Sequence, residues 1–423
     1  MRKKISLLLP VLVVVTGGLL LIPGCLKDRV TERYKLMLPV FELKSTILAN
    51  INSNPGQAIG QTGQIYVKGS YIYLNEVDKG IHVIDNSDPS HPIQTAFLAI
   101  PGNENIGIRN NILYADMYTD VLALDISNIH QVKVVGTLRN FFTSRNYGTD
   151  SDYVVANWTI KDTSFTVKPQ GWMPIQGTNF LTYPGTGYFY AIAYAAATSQ
   201  SSTGTAGSNA VMTLVGDYLY AIPEEHSLGV VNVADSSNPT AISSAFAGYD
   251  LETIFPIQDK LLIGSKEGVF VYSISSPASP TQVGEFKHGT ACDPVIANSN
   301  YAYVTLHTGT YCGAADNELD ILDAKDLSNT NLIKSYPMTE PSGLCLDGSL
   351  LFVCDETVVK VFDASNPDNL QLLSTVSVNQ PNDVIASGHV LLVVGTDGLY
   401  EFDYTDPSHV AALSYLSINN PKS

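Results

Sequence analysis

Seven times along this chain an apolar run closes on a small polar residue and enters a turn built from Asp, Ser, Asn and Pro. The phrase is plainest in GIHVIDNSDPSHP from Gly80, VVNVADSSNP from Val230, VVKVFDASNP from Val358 and GLYEFDYTDPSH from Gly398. The closing residues are Asp85, Asp125, Asn232, Ser273, Asp323, Asp363 and Asp403, at successive spacings of 40, 107, 41, 50, 40 and 40. A period near forty residues, with four short β-rich runs per unit, is the signature of a propeller blade rather than of a helical array. The first unit reads QIYVKG, SYIYLNE, GIHVID, the turn NSDPSHP, then IQTAFLAI. Such runs of β-branched and aromatic residues stop at Gly, Asn, Asp or Pro, and no segment carries a helical stripe. The expected fold is all-β: a seven-bladed β-propeller with four-stranded blades and one long insertion between blades two and three.

The phrase G-x-x-V-V-D-V-S-D-P-S-N-P resembles the LVIVD repeat family of bacterial β-propellers, over roughly residues 64–419. Three copies keep the second Asp-Pro or Asn-Pro, at Asp88, Asn366 and Asp406. Others depart from it: blade four has Ser273 and Ser276 in place of the acids, and blade two has Ile129 in place of Pro. Asp-Pro suits a tight turn, because Pro presets φ and Asp bonds the backbone two residues on. The resemblance therefore implies a fold, and the motif carries no catalytic residue of its own.

Residues 1–24 read as a secretion signal, with Arg2, Lys3 and Lys4 ahead of an apolar run from Ile5 to Ile22. The run ends Leu21-Ile22-Pro23-Gly24-Cys25, which resembles the lipobox of bacterial lipoproteins, with Pro23 in place of the usual small residue. That resemblance implies a lipid on Cys25; an ordinary signal or a single membrane anchor is the alternative. Lipidation would attach an otherwise soluble domain to a membrane surface. Leu26-Lys27-Asp28 resembles the short surface-targeting signal of some Gram-negative lipoproteins. The expected location is the outer membrane, at the cell surface ahead of the periplasm. Residues 25–63 form a tether, part of which, through MLPVFEL and TILANI, is expected to pack on the propeller as an added strand. Loss of the signal takes the net charge from −17 to −20. Nucleic acid is excluded as a partner, because no basic footprint exists to meet phosphate.

With Cys25 assigned to lipid, Cys292, Cys312, Cys345 and Cys354 remain as an even set in an oxidising compartment, and two disulfides are expected. Cys345 and Cys354 flank LDGSLLFV, whose Asp347-Gly348 turn brings their strands side by side; Cys292 and Cys312 fall on two loops of blade five. No C-x-x-C pair points to zinc or to a thioredoxin-like site.

Strands alternate within a blade, so the Asp-Pro turns share one face with the first-to-second strand turns. The second-to-third and fourth-to-first connections share the other. Every irregularity of length falls on the latter: an insertion of roughly residues 139–208, and the loop LHTGTYCGAADNE in blade five. Long loops on a rigid scaffold are where recognition concentrates, so this variable face is the expected working surface. The insertion holds both tryptophans, Trp158 and Trp172, with Tyr147, Tyr153, Tyr183, Tyr188, Tyr190 and Tyr194. These rings suit a sugar or a protein partner, or form the insertion's own small core. The alternation in DYVVANWTI predicts a β-hairpin there.

Around the central axis, the loops entering each innermost strand bring Gln64, Glu104 with Asn105, Asn209, Glu252 with Thr253, Asp293, Ser342 and Asp383. Such oxygens could hold Ca²⁺, or simply be solvated in a funnel. No G-x-S-x-G, H-E-x-x-H, P-loop or EF-hand spacing occurs. Of eight histidines, His226, His288 and His307 map to the variable face, and His288 stands near Asp293 in HGTACDPV, a pair able to perform acid–base chemistry or bind metal. The function read from the sequence is a lipid-anchored, non-enzymatic binding scaffold for a protein or glycan. Its candidate contacts are Trp158, Trp172, Glu104, Glu252, His288, Asp293 and Asp383. The alternative is a propeller enzyme, of glycan hydrolase or lyase type, with its site at the channel mouth.

Overall fold

Within each repeat the second and third runs are apolar at nearly every position, as in LLFVCD and VLLVVG, whereas the fourth alternates. Stacked blades explain the difference, since inner strands are covered on both faces and the outermost strand is not. The computed structural model describes residues 30–145, 152–167, 180–181, 189–190, 205–206, 209, 211–287, 294–307 and 316–418. Seven antiparallel sheets of four consecutive strands follow one another, over residues 62–99, 106–138, 212–246, 251–287, 295–337, 341–377 and 383–417. First strands of consecutive blades touch one another from blade one to blade seven and so line the axis. Fourth strands are the outermost, with Ile93, Ile242, Leu332, Leu372 and Tyr415 all exposed.

The core is divided among the seams between blades. Tyr220, Leu228 and Val230 of blade three pack on Ile254, Ile263 and Phe270 of blade four, and Phe352 and Val361 of blade six on Leu391 and Val393 of blade seven. Each fully buried Val, Leu, Ile or Phe contributes about 1.5–3 kcal/mol relative to exposure. The outermost pairing of every blade carries a bulge at the same place, for example between Val83 and Ile84 and between Val361 and Phe362. A bulge increases local twist, which suits an outer strand that must splay from its neighbours. Gly80 opens the third strand of blade one at φ +143°, where a Cβ would meet Leu98 O at 1.9 Å. No other residue fits that approach.

Among the described residues, ring closure exchanges no strand between blades one and seven. Ile59 makes a parallel bridge to Ile418, and Ile59, Ile65, Ile72 and Ile84 pack on Ile385, Leu392, Val394 and Leu399. Ser53–Asn54 adds to the outer strand of blade one, opposite Leu98 and Phe97, whereas MLPVFEL lies in the strand Val30–Leu43 and TILANI runs through the helix Lys44–Asn50, so the strand added to the propeller is not one of the two apolar runs.

Val30–Leu43 pairs with Tyr153–Val167 in a two-stranded sheet. The DYVVANWTI run thus finds its partner in the N-terminal segment rather than in a hairpin of its own, because the alternating pattern specifies a strand without specifying what it pairs with. Phe180–Leu181 pairs with Phe189–Tyr190. Residues 1–40 and 158–195 fall in one compact unit, and residues 41–157 and 196–423, with all seven blades, in another. Lys44–Asn50 is an α-helix of seven residues, too short to show a stripe in the sequence. Among the described residues no helix is long and apolar enough to cross a membrane; the signal segment and Cys25 lie outside them.

Candidate interaction face

The repeated acids are turn-formers. Asp85, Asp125, Asn232, Asp323, Asp363 and Asp403 each accept, through Oδ1, the backbone N–H two residues on at 2.8–3.0 Å, and Ser273 does the same through its hydroxyl at 3.3 Å. A second such turn follows at Asp88, Asn128, Asp235, Asp326, Asn366 and Asp406. The turns also join blades: Tyr220 Oη donates to Pro277 O, Tyr336 Oη to Pro367 O and Ser374 Oγ to Pro407 O. On this face, therefore, the motif's side chains are committed to structure.

On the opposite face the insertion's first residues are rooted in a polar network that the sequence does not reveal. Lys44 and Asp120 form an ion pair at 2.7 Å, with residue exposures of 5% and 0%. Asp120 Oδ1 also accepts from Thr119 Oγ1 and Asn140 N, while Lys44 N donates to Asp152 O. Phe141 and Phe142 N donate to Thr119 O, and both rings are buried against Tyr114, Leu219 and Val231. The N-terminal helix and the insertion's first residues are thus fastened to one turn of blade two.

Beside this root, Arg145 meets three carboxylates: Asp116 at 2.6 Å, Asp78 at 3.0 Å and Glu104 at 3.1 Å, and it lies 5.4 Å over the Tyr118 ring. Asp116 is fully buried and accepts from Asn103 Nδ2, Glu104 N, Asn105 N and Asn105 Nδ2 as well. Burial pushes Glu104 up to about 7 against the pull of Arg145, with Asp116 and Asp78 adding to the rise. Glu104, expected at an open channel mouth, is half-exposed and already paired with a cation of the chain itself.

The other axial candidates are largely engaged in holding blades together. Gln64 Nε2 donates to Asn105 Oδ1 at 2.8 Å and its Oε1 accepts from Ile106 N, joining blades one and two. Thr305 Oγ1 donates to Ser342 O, and Ser342 Oγ to Pro381 O, along blades five, six and seven. Asp383 and Thr253 are fully buried; Glu252 stands 3.9 Å from Lys266. The chain also runs along the axis: Thr205–Ala206 adds to the innermost strand of blade one, opposite Val67 and Tyr66, and Asn209 Nδ2 donates to Asn382 O of blade seven. Among the described residues no three His, Cys, Asp or Glu side chains converge on one point as a metal ion requires. His288 and Asp293 lie outside the described residues, as does Trp172; Trp158 is half-buried on the strand Tyr153–Val167.

Among the described residues three histidine–carboxylate pairs form; His91–Asp88 and His409–Asp406 lie open on the Asp turns, and the third is enclosed. His82 Nε2 lies 2.8 Å from Glu76 Oε2, both residues are buried, and Lys79 binds the other oxygen. Burial alone would raise the Glu76 carboxyl, but His82 and Lys79 together bring it down to about 2. With His82 fully buried against Phe97, substrate cannot reach the pair.

Among the described residues, two large apolar side chains are exposed at the connection between blades three and four. Phe246 is 62% exposed and Tyr249 56% exposed. Their rings meet edge to face at 5.1 Å, and Tyr249 meets His226 at 5.3 Å. Positive φ at Gly248 and Asp250 turns the connection outward around Tyr249. Glu224 and Glu225 are exposed beside His226, and Asp250 and Glu252 follow Tyr249, with Lys266 the cation nearest the latter two. The result is an aromatic platform with an acidic rim.

Cys345 and Cys354 are free, buried thiols here rather than the expected bridge. Cys345 stands in register with Phe352, which sets Cys354 two residues off along the neighbouring strand. Both sit in the apolar seam of blades six and seven, and burial pushes both thiols well above their ordinary range. Cys292 and Cys312 lie outside the described residues.

Residues 59–96 and 288–338 match the LVIVD repeat. No curated protein matches the chain. Among solved structures, the computationally designed Ika8 protein aligns at 9% identity over 87% of this chain and 91% of its own, with a TM-score of 0.53. BamB from Moraxella catarrhalis aligns at 7% identity over 83% and 98%, with a TM-score of 0.45. PorZ from Porphyromonas gingivalis aligns at 13% identity over 85% and 39%, with a TM-score of 0.48. Identities this low speak to fold alone. Seven four-stranded blades, with two segments that match the LVIVD repeat, make this chain a β-propeller repeat protein.

Proposed function

We propose that this protein is a non-enzymatic binding scaffold of the cell envelope that engages its partner with the variable face. The observation that carries the proposal is the platform of Phe246, Tyr249 and His226, exposed on that face within a rim of Glu224, Glu225, Asp250 and Glu252. Exposed aromatics backed by a rigid fold anchor interfaces, and they gain from cations placed over their rings. A rim of carboxylates favours partners presenting Lys or Arg, so a protein partner is preferred here to a glycan.

In this reading residues 1–24 direct export and Cys25 carries the lipid that holds the scaffold at the outer membrane. Labelled fatty acid supplied during growth should mark the natural chain and not Cys25→Ala; label retained on the variant removes the anchor from the proposal. For recognition, mild cross-linking of intact cells is followed by isolation of the natural chain, of Phe246→Ser/Tyr249→Ser, and of a form with residues 146–204 replaced by a Gly/Ser linker. A partner captured by the first and lost from either folded variant supports the scaffold. A partner list unchanged in both variants would move the working surface elsewhere.

A further inference from the structure

The seams between blades are built to one plan, and one seam breaks it. Two residues before each closing residue of the repeat stand Val83, Ala123, Val230, Val271, Ile321 and Val361, and in blade seven Glu401. Immediately after the closing residue stand Ile126, Val233, Ile274, Ala324, Ala364 and Tyr404, and in blade one Asn86. These two positions face each other across a seam. Ala123 shares a buried cluster with Val233, Val230 with Ile274, Val271 with Ala324, Ile321 with Ala364, and Val361 with Tyr404. At the seam where blade seven meets blade one, both apolar residues are replaced, and Asn86 Nδ2 donates to Glu401 Oε2 at 2.7 Å. Glu401 is 1% exposed, with Ile84, Leu392 and Leu399 in the same seam.

We propose that the Asn86–Glu401 pair is a register key that makes the ring close on seven blades. Near-identical blades pose a counting problem: an apolar seam that fits one neighbour fits any other. If blade seven closed on blade two, Glu401 would face Ile126 and bury an unpaired carboxylate; if blade six closed on blade one, Asn86 would face Val361 with its amide unpaired. Each mismatch is costly because a buried polar group without a partner loses its hydration and regains nothing. The carboxyl is buried and the amide half-buried, with Glu401 Oε1 and Asn86 Oδ1 left without a partner, so the pair is bound by its one bond; a single polar pair selecting register among apolar alternatives is the same device that fixes register in helical coiled coils. Among the described residues no strand is exchanged between blades one and seven to enforce closure, and the pair supplies the discrimination the apolar seams lack.

The test compares the natural chain with Glu401→Val, Asn86→Ile and the double variant, which makes the seventh seam like the five apolar seams above. Each is refolded from denaturant and the protection of blades one and seven is read by hydrogen-exchange mass spectrometry. The double variant is expected to melt no lower than the natural chain, while the fraction of molecules with blade one or blade seven unprotected rises by about tenfold, since two mismatches no longer oppose miscounting. Each single variant should be less stable than the double. If a single variant fails to fold, Glu401→Gln, which keeps an acceptor for Asn86, should refold as the natural chain does. A double variant that refolds to one fully protected population, or single effects that simply add, would overturn the proposal.

Discussion

Removing the Lys44 ammonium should release the N-terminal helix from blade two without melting the propeller. In Lys44→Met the aliphatic stem is retained, but Asp120, fully buried, loses the cation at 2.7 Å and keeps only Thr119 Oγ1 and Asn140 N. Leaving one member of a buried pair uncompensated costs about 3–5 kcal/mol, on the order of a hundredfold or more in the population of the undocked segment. That free energy acts on a peripheral helix, so the loss appears as local opening rather than global unfolding. Hydrogen exchange at Lys44 N, bonded to Asp152 O, and at Ile51 N, bonded to Ile47 O, reads the opening directly. Exchange there should accelerate by about a hundredfold while amides of Phe352 and Leu391 stay protected. Lys44→Met combined with Asp120→Leu should recover much of the protection, because an apolar pair of similar size replaces the ion pair without its desolvation. Unchanged exchange in Lys44→Met would show that the pair does not hold the helix, and the account of the insertion's root would fail with it.

Stability should fall as pH rises toward neutrality. Burial pushes Glu401 up to about 7 against the bond from Asn86, so the folded protein holds its proton to higher pH than the unfolded chain does. The group's full contribution is present below about pH 4.5 and declines by about 3 kcal/mol as pH rises through 7, and thermal midpoints from pH 5 to pH 8 should fall more in the natural chain than in Glu401→Gln. Equal pH dependence in the two would remove this assignment. Cys345 and Cys354 should resist a thiol reagent in the native protein and both react once it is unfolded without reductant; a peptide spanning both that carries no free thiol would restore the disulfide expected from their spacing. Phe352→Ala empties a fully buried site packed edge to face on Tyr404 at 4.9 Å and should cost about 3–5 kcal/mol in chemical denaturation. A loss below about 1 kcal/mol would mean that the seam of blades six and seven collapses around the gap.

The repeat made the propeller legible because its constraint is local. Asp85 or Asp363 bonds its own chain two residues on, and apolar runs follow whether a strand is covered on both faces. Blade number, the insertion's position and the uniform Asp-turn face follow from spacing alone. The root of the variable face was hidden for the opposite reason: Lys44 meets Asp120 across 76 residues and Arg145 meets Asp78 across 67, and nothing near either residue marks it. Of the axial residues, Gln64, Ser342 and Asn209 bond to other blades, since backbone groups at the inner edge also need partners. Glu401 did carry a signal, an acid at a position apolar in every other unit, visible only once units are compared column by column. Phe246 and Tyr249 carried none, because exposure depends on what the neighbouring blade leaves uncovered.

The most direct test of the variable face as the binding surface is site-specific photo-cross-linking in intact cells. A photoreactive phenylalanine analogue replaces Tyr249 in one form and His91, on the Asp-turn face and more open to solvent, in another. The account predicts a discrete cross-linked species from position 249, carrying a partner rich in Lys or Arg at the contact, and none from position 91. Cross-linking from position 91 with none from position 249 would contradict it and assign recognition to the face read here as structural.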